Sequence, residues 1–67
     1  MEKNEIKEII EAVKTVGNEK REFTKADVMS ELKSFSSKVD YGSVNMAIDG
    51  WVEEGLIRNN IVSYTLL

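Results

Sequence analysis

Val44-Asn45-Met46-Ala47-Ile48-Asp49-Gly50-Trp51-Val52-Glu53-Glu54-Gly55-Leu56-Ile57 is the stretch on which the fold turns. At about 100° per residue, a helix through it gathers Val44, Ala47, Ile48, Trp51 and Val52 on one side. Met46, Asp49, Gly50 and Glu53 fall on the other, together with Gly42 from just upstream. An apolar side of that width marks a helix packed on a core. Gly55 supplies the left-handed residue that commonly ends such a helix, and Leu56 is placed to fold back onto Trp51. Asp40 supplies the start, because its carboxylate can accept from the amides of Gly42 and Ser43 while Val39 and Val44 occupy the staple positions across the first turn. The spacing predicts a helix over residues 41–54.

Toward the N-terminus the same device recurs. Thr24 is followed three residues on by Asp27, and Phe23 and Val28 stand in the staple positions, so a second helix starts there. Val28, Met29, Leu32 and Phe35 form its expected buried stripe, and Ser34-Phe35-Ser36-Ser37 ends it. Further upstream Ile6, Ile9, Ile10, Val13 and Val16 recur at helical spacing among Glu and Lys, which predicts an amphipathic first helix over about residues 3–16, terminated by Gly17-Asn18. Between these helices Glu19-Lys20-Arg21-Glu22 is a charged connector, and Arg21-Glu22-Phe23 reads as a short strand. Beyond Gly55, two asparagines between β-prone runs suit a two-residue turn. A turn at Asn59-Asn60 pairs Ile57 with Val62, adds Tyr64 and Leu66 to that face, and leaves Ser63 and Thr65 outside. The expected core is Ile9, Ile10, Val13, Val28, Leu32, Val44, Ile48, Trp51, Ile57 and Val62.

The resulting order is helix, short strand, helix, helix, hairpin: mainly α with a small β-hairpin. Over residues 24–67 it resembles the winged helix-turn-helix superfamily, and residues 44–57 are similar to the recognition helix, Glu-Glu-Gly-Leu-Ile and wing of many small bacterial and archaeal regulators. The resemblance is to the superfamily and to no particular member. It implies one winged-helix domain over residues 1–67, duplex DNA as partner, and regulation of transcription as role. By that resemblance the outer face of the third helix (about 41–54) enters the major groove. Tyr41, Ser43, Asn45 and Met46 are then the readers, with Asn45 in bidentate contact with adenine and Tyr41 or Ser43 on a phosphate. Lys25, Lys38 and Arg58 supply positive charge, and Asn59 and Asn60 belong to a short wing (about 57–64).

Composition bounds the chemistry. With 67 residues the chain is one small domain in which every apolar position matters. It has no cysteine and no histidine, so disulfides, thiolate or imidazole metal sites and Ser-His or Cys-His catalysis are excluded; no enzyme, metal or cofactor is expected. The longest apolar runs, such as Ile9-Ile10 and Leu66-Leu67, are too short for a membrane span or a signal-peptide core, and a cytoplasmic protein is expected.

Charge runs against the DNA reading. The net charge is −3 and the pI about 4.9, whereas an autonomous nucleic-acid binder is usually basic. Residues 41–67 carry Arg58 against Asp49, Glu53 and Glu54, and the outer face of the third helix has no Lys or Arg. A second reading follows: a winged-helix protein-interaction module without autonomous DNA binding. Its surface is Gly42, Met46, Asp49, Gly50 and Glu53, and its partner is another protein or a second copy of the chain. Gly50 within a helix costs about 1 kcal/mol relative to alanine, which invites close approach by another surface. Trp51, on the apolar side, reads as core. Fold analogy puts DNA first, and the residues of the third helix favour protein contact.

Overall fold

The two capping signals set where the second and third helices begin. In the computed structural model, which describes residues 3–67, the chain forms α1 (Lys3–Glu19), α2 (Lys25–Ser34), α3 (Tyr41–Glu53), β1 (Ile57–Asn59) and β2 (Tyr64–Leu66). Met1 and Glu2, included in the single-domain reading, lie outside the described residues. Thr24 is extended; its hydroxyl accepts from the Asp27 N–H at 3.1 Å, and the Asp27 carboxylate accepts from the Thr24 N–H at 2.9 Å, which closes a capping box. At α3 the Asp40 carboxylate accepts from the Ser43 N–H at 2.8 Å. The flanking staple residues Phe23, Val28, Val39 and Val44 are all buried. Gly55, at φ +82°, ends α3 with a Schellman pair: the Leu56 N–H donates to the Trp51 carbonyl at 2.9 Å and the Gly55 N–H to that of Val52 at 3.1 Å.

The first helix does not stop at Gly17-Asn18. It runs to Glu19, and the Lys20 N–H closes the last turn on the Val16 carbonyl at 2.8 Å. The reason lies across the molecule: a Cβ on Gly17 would stand 3.0 Å from Leu66 Cδ2 and 3.2 Å from Leu66 Cβ. Gly17 is therefore a notch in which β2 rests, rather than a helix stop. The short strand expected at residues 21–23 is reduced to Phe23, which forms a single antiparallel bridge with Tyr64 through N–H to carbonyl bonds of 2.9 and 2.7 Å.

The hairpin is also placed differently. Ile57 pairs with Leu66, Arg58 with Thr65 and Asn59 with Tyr64, so β1 and β2 form a two-stranded antiparallel sheet whose turn lies at Ile61-Val62 and not at Asn59-Asn60. A turn at the asparagines would have set Tyr64 against Gly55 and Leu66 against Glu53, inside the end of α3, where no strand backbone is free to pair. The observed register gives every residue of β2 a partner and keeps the predicted inward face of Ile57, Tyr64 and Leu66. It also sends Val62, expected in the core, to the tip, where it is 83% exposed.

The core joins Ile9, Ala12, Val13 and Val16 of α1 to Phe23, Val28, Leu32, Val39, Val44, Ile48 and Ile57, each at most 5% exposed. Trp51 and Ile10 are half-buried at its edge. Phe35, expected in the stripe of α2, is the C-cap beyond its last turn and is exposed. Among the described residues no helix is long and apolar enough to cross a membrane.

Candidate interaction surface on the third helix

With Val44 and Ile48 fully buried, the opposite arc of α3 centres on Gly42, Met46 and Glu53, all exposed. This arc has two unlike flanks. The flank toward α2 is polar and internally closed. Lys25, in the first turn of α2, donates from Nζ to Asn45 Oδ1 and to Asp49 Oδ1 (2.9 Å), and lies 5.4 Å from the centre of the Tyr64 ring. Its side chain is only 14% exposed. Burial alone would lower the Lys25 pKa, but the bond to Asp49 and the nearby Tyr64 side chain outweigh it and hold the ammonium above the ordinary lysine value. One cation thereby ties α2, α3 and β2 together.

That network takes up residues assigned to DNA contact. A bidentate contact with adenine needs the Asn45 carbonyl oxygen to accept from the base while its amide donates. Here that oxygen accepts from Lys25, so a base would have to share it with the ammonium, and Lys25 itself is held by Asp49 rather than offered to a phosphate. Asn59 and Asn60 serve the hairpin: Asn59 Oδ1 accepts from the Ile61 N–H at 2.8 Å, and Asn60 Nδ2 donates to Thr65 Oγ1 at 2.8 Å. The Ser63 hydroxyl donates to Glu22 at 2.8 Å, bracing the same hairpin against the connector. Its tip presents Ile61 and Val62, 93% and 83% exposed, and no cation. Lys38 and Arg58 are exposed, but in the α2–α3 turn and on β1 respectively. Tyr41 (53% exposed) and Met46 (71% exposed) are open, and Ser43 is partly so. Of the DNA-contact set, Lys25 and Asn45 are hydrogen-bonded to each other, and Lys25 is bonded to Asp49 as well.

The flank toward α1 is apolar. Two shallow grooves share Trp51 as a common wall. The first, about 280 Å³, lies between α1 and the hairpin and is bordered by Ile10, Lys14, Leu56 and Leu67. The second, about 230 Å³, lies between the start of α1 and α3 and is bordered by Ile6, Met46, Ala47, Gly50 and Glu54. No atom lies within 4 Å of a Cβ built on Gly50, so nothing in the fold requires glycine there. The protein-contact set is thus divided: Met46 and Gly50 border the apolar trench, Asp49 belongs to the Lys25 network, and Gly42 and Glu53 lie on the arc between. Ile6, Ile10, Leu56 and Leu67 were not singled out from the sequence as surface residues. The faint signal for them was the edge of the α1 stripe, where Ile6 is 38% exposed.

Compared with protein-family models, with curated proteins and with solved structures, the chain gives no match.

Proposed function

We propose that this chain is a winged-helix module that docks proteins through the outer and α1-facing sides of α3 and does not bind DNA autonomously. The order of three helices and a hairpin, with Phe23 standing in for the first strand, supports the winged-helix reading. The observation that carries the function is the closure of Lys25 onto Asn45 and Asp49, which engages the cation on the α2 side of α3, next to an uncovered apolar trench. Phosphate contact is the main source of nonspecific DNA affinity, and an arc of Gly42, Met46 and Glu53 offers it nothing. Both readings assume a cytoplasmic chain.

DNA binding and transcription regulation remain the second reading, favoured by the open N-terminal end of α3, where Lys38, Tyr41 and Ser43 lie close in sequence. Fluorescence anisotropy of a labelled random duplex at low salt, repeated as salt is raised, separates the two. The docking module gives no saturable signal; a reader gives one that falls steeply with salt.

A further inference from the structure

The grooves on either side of Trp51 form one uncovered trench across α1, α3 and the hairpin. We propose that it is closed by the same trench of a second copy of this chain, related by a two-fold axis near Trp51; the inference rests on the docking reading above. Shape points to side chains as the occupants, since both grooves are shallow and bordered mainly by apolar groups. Beside each stands an exposed apolar side chain suited to the other: Met46 at the second groove, and Leu56 and Leu67, 52% and 65% exposed, at the first. A two-fold axis that lies in the contact plane at Trp51 and runs across the trench sets each copy's hairpin groove against the other's Met46 groove, so that Met46 faces the first groove and Leu56 and Leu67 face the second. A two-fold interface demands this self-complementarity.

Charge selects the same occupant. Lys14 borders the hairpin groove and Glu54 the other, so the rotation brings Lys14 to Glu54 twice. A basic or acidic partner helix would meet a like charge at one end. Gly50 then has a purpose the fold itself does not give it, since its open Cβ position leaves room for a side chain of the second copy.

Sedimentation equilibrium of the full chain, across micromolar to millimolar concentrations, tests this. The wild type should pass from monomer to dimer. Gly50→Gln should stay folded by circular dichroism, with an undiminished melting temperature, and dimerise at least about tenfold more weakly, as loss of a central contact does. Lys14→Glu alone and Glu54→Lys alone should each weaken the dimer several-fold, and their equimolar mixture should recover it, because the mixed pair restores both opposite-charge contacts. A wild type that stays monomeric throughout overturns the second copy as occupant; if it also leaves duplex DNA unbound, the docking reading survives without it. A dimer indifferent to Gly50→Gln, or single charge variants whose mixture shows no recovery, overturns the placement at Trp51.

Discussion

Two helix glycines, Gly17 and Gly50, should answer the same substitution with opposite signs. Alanine in place of glycine within a helix recovers up to about 1 kcal/mol of backbone-entropy cost. At Gly50 the added methyl meets no atom within 4 Å, so Gly50→Ala should stabilise the fold by about 0.5–1 kcal/mol. At Gly17 the methyl would meet Leu66 Cδ2 at 3.0 Å and Leu66 Cβ at 3.2 Å. The Cδ2 atom can rotate away. The Cβ atom cannot, because β2 is fixed by the pairing of Leu66 with Ile57 and by the bridge from Tyr64 to Phe23. Overpacking of this kind costs about 1–3 kcal/mol, and Gly17 lies in the last turn of α1, where the propensity gain is smaller. Gly17→Ala should therefore destabilise by about 0.5–2 kcal/mol. In a domain this small, 1 kcal/mol moves the melting temperature by about 4–8 °C, so the gap is readily measured by thermal and urea denaturation followed by circular dichroism. Equal stabilisation by both variants would show that β2 does not rest on α1 at Gly17 and would refute the reason offered for α1 continuing through that residue.

Ile48→Ala, at a fully buried site, should cost about 2–5 kcal/mol, a large share of the roughly 3–10 kcal/mol expected of a domain this size; urea melts will show whether the variant still folds. Val62→Ala should change stability by less than about 0.5 kcal/mol, and a large loss on urea denaturation would contradict the turn at Ile61-Val62. Thr24→Ala should cost about 0.5–2 kcal/mol by opening the capping box, read in the same melts. The Asp27 carboxyl is held below its ordinary pKa by the Thr24 N–H and by Lys20, and that of Asp40 by the Ser43 N–H. A depressed folded-state pKa contributes stability above the unfolded value, near pH 4, and loses it as pH falls through the folded value. Stability should accordingly drop below about pH 4, with a shallower acid limb in the Asp27→Asn, Asp40→Asn double variant.

The helices were legible because their signals are local. Thr24 with Asp27, Asp40 with Ser43, and Gly55 with Leu56 each specify a terminus within a few residues, and all three do so in the structure, although Asp40 caps the Ser43 amide and not that of Gly42. What the sequence hid depends on distant contacts. Gly17 reads as a helix stop by composition, and only the arrival of Leu66 shows it to be a packing notch. The Asn59-Asn60 pair mimics a turn signal, yet only three residues separate it from Gly55, too few to give Tyr64 and Leu66 strand partners. Val62 was lost from the core for that reason, while the two-residue period kept Tyr64 and Leu66 on the correct face. The lack of basic residues on the outer face of α3 was visible from the outset. The capture of Lys25 by Asn45 and Asp49 was not, since it joins residues 20 and 24 positions apart.

On the docking reading the outer face of α3 has no affinity of its own for nucleic acid, and mapping backbone chemical shifts of the labelled chain as random duplex DNA is added at low salt checks this. The closed Lys25 network predicts no saturable change at Tyr41, Ser43, Asn45 and Met46, nor at Arg58, Asn59 and Asn60. Saturable shifts at those residues, lost as salt is raised, would contradict it.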